Sequence, residues 1–340
     1  MIKSVKIAAV SAALSVVAFS ANAGTLEDVQ ARGELSCVVT TGLAGFAAPD
    51  ENWRWAGFDV DFCRAVAAAV LGDGEKVKFV PSTGKTRFTL LNSGEGDILF
   101  RNTTETMSRD ADLKLTFLPI NYYDGQGFLI RKDMGVTSAK ELEGASVCIQ
   151  TGTTTELNLA DFFRANGMSY EPVNIETNEE GIANYSGNRC DVYTTDASGL
   201  ASTRAALEDP SAHVILPEII SKEPLGGAVR HGDDQWADIG KWVVNAIIAA
   251  EELGVGMGNV GEMCAAAGDN PSVNRLCGTE GDAGSWIGLD NKWAVRVIES
   301  VGNYGEIFDR HIGPDTPLAL ERGLNAQWTD GGILYAAPIR

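Results

Sequence analysis

The stretch GDILFRNTTETMSRD, Gly96 to Asp110, decides how the chain reads. Asp97-Ile98-Leu99-Phe100 is a short apolar run of the kind that forms a buried strand. Arg101, Asn102, Thr103, Thr104, Glu105 and Thr106 then break it with groups of poor helix propensity. A short helix is expected from Ser108. In an open α/β sheet, the loop leaving the carboxyl end of a strand is where ligands sit. Arg109, five residues after Thr104, adds a guanidinium fork to short hydroxyl donors, a combination suited to holding a carboxylate bidentately. The same residues would also make an ordinary solvated turn. The rest of the chain decides between the two.

Upstream, Leu26 to Arg32 reads as a short amphipathic helix and Leu35 to Thr40 as a first strand. A loop with Phe46, Trp53 and Trp55 leads to Gly57-Phe58-Asp59-Val60-Asp61-Phe62 and a helix over Asp61 to Leu71. Asp59 and Asp61 favour that helix's N-terminus, and Phe58, Phe62, Val66 and Val70 form a core-facing stripe. A strand over Lys76 to Val80 and a helix over Arg87 to Asn92 complete a βαβαβ pattern. Downstream, a strand over Ser146 to Ile149 enters Gln150-Thr151-Gly152-Thr153-Thr154-Thr155-Glu156 and a helix over Glu156 to Arg164. A Gly-Thr turn at a helix N-terminus offers free N–H groups and a positive dipole end, which suits an anion. A plain threonine cap explains the same residues without any ligand. Cys190 to Asp196 is a strand ending in a carboxylate, the right group for an ammonium.

The chain has 340 residues, 44% of them hydrophobic, enough for two domains. A net charge of -19 excludes nucleic acid as a partner, since nothing here could neutralise a phosphate backbone. Lys3 and Lys6, the apolar run Ile7 to Phe19 and Ala21-Asn22-Ala23 form a signal peptide over residues 1–23. That predicts export into a bacterial periplasm, with no span of the roughly 20 apolar residues a membrane helix needs. Six cysteines fit an oxidising compartment. Pairing neighbours gives Cys37–Cys63, Cys148–Cys190 and Cys264–Cys277, one of 15 possible connectivities. With no CxxC and three scattered histidines, neither a metal nor a cofactor is expected. Gly256-Met257-Gly258-Asn259-Val260-Gly261 fits GxGxxG but follows a helical run, so nucleotide binding is not expected.

GFDVDFCRAVAAAV, Gly57 to Val70, is similar at every constrained position to the signature of the bacterial extracellular solute-binding proteins of family 3. A strand–hydroxyls–Arg, a strand–GTTT–helix and a strand–Asp follow in the order of that family's amino-acid clamp. The resemblance covers about Leu35 to Trp242, and the longer C-terminal part resembles the general L-amino-acid branch. It implies a periplasmic-binding-protein-like type II fold, two α/β lobes joined by two crossing strands. The crossings are expected near Asp124 to Leu129 and Glu223 to Val229, rich in glycines that absorb rotation (Gly125, Gly127, Gly226, Gly227). Lobe 1 would then be 24–127 plus 225–340, and lobe 2 would be 128–224.

By the same resemblance, Arg109 holds a ligand α-carboxylate, with Thr104 and the backbone of Asn102 beside it. Thr154 and Thr155 contribute from the second lobe, Asp196 takes the α-ammonium, and Phe46 covers the ligand's apolar face. Arg87 and Arg101 are extra cations beside the expected pocket, which would favour glutamate, aspartate and their amides. The partners implied are an L-amino acid and an inner-membrane ABC permease, with the receptor a monomer. Two other readings stand: a dehydratase-like enzyme of the same fold acting on a small carboxylate, and a sensor module, for which no appended domain is visible. The enzyme would need a general acid or base in the cleft. Glu105 is the acid that the first-lobe loop supplies.

Overall fold

A computed structural model describes residues 24–340; the predicted signal peptide lies outside the described residues. The chain runs through α1 (Thr25–Arg32), β1 (Leu35–Thr40), a small hairpin of β2 (Ala48–Pro49) and β3 (Trp55–Ala56), α2 (Phe58–Leu71), β4 (Val77–Ser82), α3 (Arg87–Asn92), β5 (Ile98–Leu99) and β6 (Leu115–Asp124). It then crosses into β7 (Gln126–Arg131), β8 (Ser146–Gln150), α4 (Thr154–Ala165), β9 (Glu171–Ile175), α5 (Asn178–Ser186), β10 (Val192–Asp196), α6 (Ala197–Ala205) and β11 (His213–Ile215). β12 (Glu223–Arg230) returns to the first sheet, followed by α7 (Asp234–Glu252), α8 (Val260–Ala265), α9 (Pro271–Leu276), α10 (Ala283–Trp286), α11 (Trp293–Val301) and α12 (Tyr304–His311).

Two five-stranded sheets result, ordered β4-β1-β5-β12-β6 and β11-β7-β10-β8-β9. In the first, β1 runs parallel to β4 and β5, and β12 is antiparallel to β5 and β6. In the second, β8 runs parallel to β9 and β10, and β7 is antiparallel to β10 and β11. The period-two pleat divides β7 between two cores. Phe128 and Ile130 pack with Leu159 and Phe163 of α4, while Leu129 packs with Tyr185 and Leu200 on the other face.

The strand pairing keeps the crossings near their expected places and moves each lobe boundary by two residues. Gln126 and Gly127, expected in lobe 1, already pair with Asp196 and Thr195 in the second sheet. Glu223 and Pro224, expected in lobe 2, pair with Asp124 and Tyr123 in the first. The crossings therefore fall at Gly125 and just before Glu223. Gly226 and Gly227 lie inside β12 at its register shifts, and a Cβ on Gly227 would meet the Phe100 ring at 2.4 Å. They serve packing rather than rotation. At Gly125 a Cβ would meet Ser221 O at 2.8 Å, so this glycine lets the two crossings approach.

α2 starts at Phe58, three residues before the expected start, because Gly57 turns the chain at φ 139°. A Cβ there would lie 2.2 Å from Phe46 O, so a side chain has no room. α4 likewise starts at Thr154, since Thr153 is the cap and its Oγ1 accepts from Glu156 N–H at 3.2 Å. The three disulfides pair Cys37–Cys63, Cys148–Cys190 and Cys264–Cys277. The first ties β1 to α2.

The C-terminal part completes lobe 1. Phe58, Phe62 and Val66 of α2 share one core with Trp236, Val243 and Ile247 of α7 and Val297 and Ile298 of α11. Buried Asp61 of α2 accepts from Arg310 Nη2 at 2.5 Å and bonds His311 Nε2 at 2.6 Å. Arg322 forks onto Glu251 at 2.9 and 3.0 Å, and Asn325 clamps both backbone groups of Tyr123, just before the first crossing. Among the described residues no helix is long and apolar enough to cross a membrane.

The Gly57 turn yields a direct prediction. Gly57→Ala should destabilise the protein by about 1–3 kcal/mol, the cost of a strained backbone plus a displaced carbonyl. Urea melts of the two forms measure this, and an unchanged midpoint would contradict it.

Candidate functional site

The carboxyl end of β5 delivers Arg101 to Thr106 into the space between the lobes, where the carboxyl end of β10 and the start of α4 face them. Asn102 sits at φ 29°, a left-handed conformation that asparagine tolerates better than most residues. Its N–H donates to Asp59 Oδ2 at 2.9 Å, and its Nδ2 reaches Asp196 Oδ2 of the other lobe at 3.5 Å. Asp59 of the GFDVD turn therefore positions the ligand-side loop as well as opening α2. Burial pushes Asp59 up to about 7, against the hydrogen bond from Asn102 and the charge of Arg101.

Arg87, Arg101 and Arg109 come together and are all buried, at 2%, 3% and 6% exposure. Each guanidinium makes one hydrogen bond within the protein: Arg87 to Thr103 Oγ1 at 3.2 Å, Arg101 to Ser82 O at 3.3 Å, and Arg109 to Thr104 O at 2.7 Å. A guanidinium has five N–H donors, so most of this capacity is unspent. Arg87 Nε is buried without any partner. None of the three forms an ion pair among the described residues. Burial and the neighbouring guanidiniums lower Arg87 well below its usual range and push Arg101 down to about 10, while burial alone brings Arg109 to about 10. Phe88 lies under two of them, 4.8 Å from Arg87 and 5.2 Å from Arg109. Arg109 itself stands on a π-helical turn, Ser108–Asp112.

Carboxylates face this cation cluster. Asp196 is 5% exposed, and burial followed by the charges of Asp124 and Glu223 raises it well above the usual range. Asp124, at the end of β6, is pushed up to about 6 by burial. Glu223, the first residue of β12, is 1% exposed and holds groups from both lobes. It accepts from Thr104 Oγ1 at 2.5 Å, Thr154 Oγ1 at 2.9 Å, Asn158 Nδ2 at 2.7 Å and Ser221 Oγ at 2.6 Å. Further contacts close the lobes at the rim: Lys85–Glu176 at 2.9 Å, Asn178 Nδ2 to Gly42 O at 2.9 Å, and Ser202 Oγ to Ala44 O at 2.8 Å.

The expected site residues thus divide. Arg87, Arg101, Asn102, Thr104, Arg109, Thr154 and Asp196 meet at the cleft. Thr155 is 3% exposed, but its hydroxyl bonds Thr153 Oγ1 at 2.8 Å within the turn. Phe46 packs edge-on against Phe58 at 6.0 Å and Tyr122 at 5.7 Å inside the lobe 1 core. Glu105 is exposed and its N–H bonds Pro224 O, so the loop's acid lies outside the cleft. Sequence reading missed Glu223, Asp124 and Phe88. The signal for Glu223 was faint: a lone acid among apolar residues at the start of a strand. Among the described residues no group of three or more His, Cys, Asp or Glu is arranged to hold a metal.

Residues 35–254 match the family described as bacterial extracellular solute-binding proteins, family 3. The chain is 59% identical over 326 residues to the glutamate/glutamine/aspartate/asparagine-binding protein BztA of Rhodobacter capsulatus, covering 96% of each chain. It is 57% identical over 332 residues to the general L-amino acid-binding periplasmic protein AapJ of Rhizobium johnstonii, covering 97% of each. A solved ABC transporter periplasmic binding protein from Brucella ovis, with glutathione bound, superposes with a TM-score of 0.91 at 56% identity. That match covers 94% of this chain and all of the other. The protein belongs to the family 3 solute-binding proteins, and it is a binding protein rather than an enzyme.

Because Asp59 is raised when folded, the unfolded chain loses this proton first as pH rises. Stability should therefore fall between about pH 4 and about pH 7. Asp59→Asn, which keeps an acceptor for Asn102 N–H, should flatten part of that slope in urea melts across this range. An unchanged slope would contradict the assignment.

Proposed function

We propose that this protein captures L-amino acids in the periplasm, with a preference for glutamate, aspartate and their amides, and presents them as a closed monomer to an inner-membrane ABC permease. The observation that carries the reading is the set of three buried guanidiniums, none of them ion-paired among the described residues, set opposite Asp196. An α-amino acid supplies what this arrangement lacks. Its carboxylate takes the fork of Arg109, and its ammonium neutralises the raised carboxylate of Asp196. Arg87 and Arg101 then meet a side-chain carboxylate or amide oxygen. One cation would suffice for a neutral amino acid. Three favour a ligand with a second anionic or strongly polar oxygen.

The names of the relatives that span nearly the whole chain support this reading. The cleft agrees with binding rather than dehydration. The acids in the cleft are raised by burial first and then by neighbouring carboxylates, Asp124 by Glu223 and Asp196 by Asp124 and Glu223, a state that an ammonium relieves. With Glu105 outside the cleft, no acid of the first-lobe loop is left to act as a general acid. Phe46, held in the core, has no part in the proposed contacts.

A thermal-shift screen of the mature, ligand-stripped protein against the twenty L-amino acids and glutathione tests the proposal. Glutathione belongs in the screen because its γ-glutamyl end carries the same ammonium and carboxylate. A ligand at 100 times its Kd adds roughly 2.7 kcal/mol of stability. The largest shifts are expected with glutamate, aspartate, glutamine and asparagine, and no shift with any amino acid would overturn the reading. Arg109→Ala should abolish binding of all of them, whereas Arg87→Ala should weaken acidic ligands preferentially. Equal losses across neutral and acidic ligands would remove Arg87 from the selectivity role.

Binding should also release protons. The ammonium stabilises the charged forms of Asp196 and Asp124, so affinity should rise with pH through about 6, the position of Asp124. Calorimetry in buffers of different ionisation enthalpy reads this directly. Proton uptake on binding would contradict it.

A further inference from the structure

We infer that Glu223 is a positioning residue that makes the cleft selective for an ammonium. It does so by holding the hydroxyl protons of Thr104 and Thr154, one from each lobe, away from the ligand. The inference rests on the amino-acid reading above and deepens it.

A threonine hydroxyl has one proton to donate and two lone pairs to offer. Thr104 Oγ1 spends its proton on Glu223 Oε2 at 2.5 Å, and Thr154 Oγ1 reaches the same oxygen at 2.9 Å. The two hydroxyls are 3.3 Å apart, so Thr154 can alternatively donate to Thr104. Either way neither proton is left for a ligand carboxylate. Glu223 itself is pinned by Asn158 Nδ2 and Ser221 Oγ on its other oxygen, so all four hydrogen bonds hold it in one orientation. The threonines therefore present lone pairs only.

Other acceptors gather at the same place. Asn102 Nδ2 points to Asp196, and its Oδ1 is buried without a partner. Glu223 is near enough to Asp196 to raise it. Acceptors thus line the Asp196 side of the cleft, while the surplus donors belong to the arginines. The division of labour differs from the one read from sequence. The threonine hydroxyls serve the ammonium, and the α-carboxylate is left to Arg109 and the N–H groups opening α4.

The test compares L-glutamate with glutarate, which has the same two carboxylates and no amine. Both are titrated calorimetrically into the mature protein and into Glu223→Gln. The amide leaves one acceptor oxygen where the carboxylate had two, and brings an N–H pair that must displace the donors now held there. Glutamate is expected to bind about 10- to 100-fold more weakly to the variant, while glutarate is unchanged or tighter. Thr154→Val removes one set of lone pairs without touching the carboxylate. It should reproduce part of the loss on glutamate and, combined with Glu223→Gln, add less than the sum of the two. This non-additivity decides the matter if glutarate is too weak to titrate.

Equal losses on both ligands, or fully additive losses in the double variant, would reduce Glu223 to a structural latch and overturn the inference. If the unmodified protein binds no amino acid, the underlying functional reading fails instead. Should Glu223→Gln melt non-cooperatively, Thr104→Val and Thr154→Val carry the same comparison between glutamate and glutarate.

Discussion

Three guanidiniums are enclosed by protein with no protein carboxylate paired to them, and much of the architecture is arranged around that constraint. Removing an ion from water costs several kcal/mol even after relaxation, and an unpaired buried charge recovers little of it. Among the described residues the chain crosses between the lobes at Gly125 and just before Glu223, and the proposed ligand would bring the anionic groups these guanidiniums lack as ion-pair partners. Cation–π contact with Phe88 offsets a part of the cost for Arg87 and Arg109. Electrostatic tension of this kind is common where a site is meant to discriminate, since a ligand lacking the right charge leaves the cost unrelieved.

The loop that carries the cations is held by residues that make no contact with the proposed ligand. Asp59 accepts the Asn102 N–H and so fixes a left-handed residue at the turning point between Arg101 and Thr104. Gly57 permits the close turn that places Asp59 there. The family signature over Gly57 to Val70 therefore has a physical meaning beyond a helix start. It couples α2, packed in the largest core, to the geometry of the cleft. Strain at Asn102 is stored where the surrounding hydrogen bonds over-determine it.

The C-terminal part is similarly tied to the cleft from behind. Arg310 and His311 meet Asp61, two residues after Asp59, and Asn325 clamps Tyr123 beside the first crossing. Lobe 1 thereby gains a rigid backing for both the signature helix and the strand that leads out of the lobe. Lobe 2 is smaller, with its sheet covered on both faces and a single disulfide, Cys148–Cys190, joining β8 to the segment that enters β10.

Local patterns in the sequence were enough for the alternation of strands and helices and for the loop carrying Arg101 to Arg109. Each depends on neighbours a few residues apart: apolar runs, a Gly turn, a threonine cap. They were also enough to nominate Arg109, Asp196 and the threonines, because strand ends and helix starts are recognisable one at a time. The tertiary structure alone decided what those groups face. Arg101 reads as a cation beside the pocket, and only the structure shows it buried against Ser82; Phe46 reads as a cleft aromatic and is held in the core by Phe58 and Tyr122. Glu223 lies more than a hundred residues from Thr104, and no local pattern reports that it claims that hydroxyl's proton. Which atom a hydroxyl or guanidinium meets is set by strand register and lobe contact, which are long-range, whereas the elements themselves are set by short-range preference.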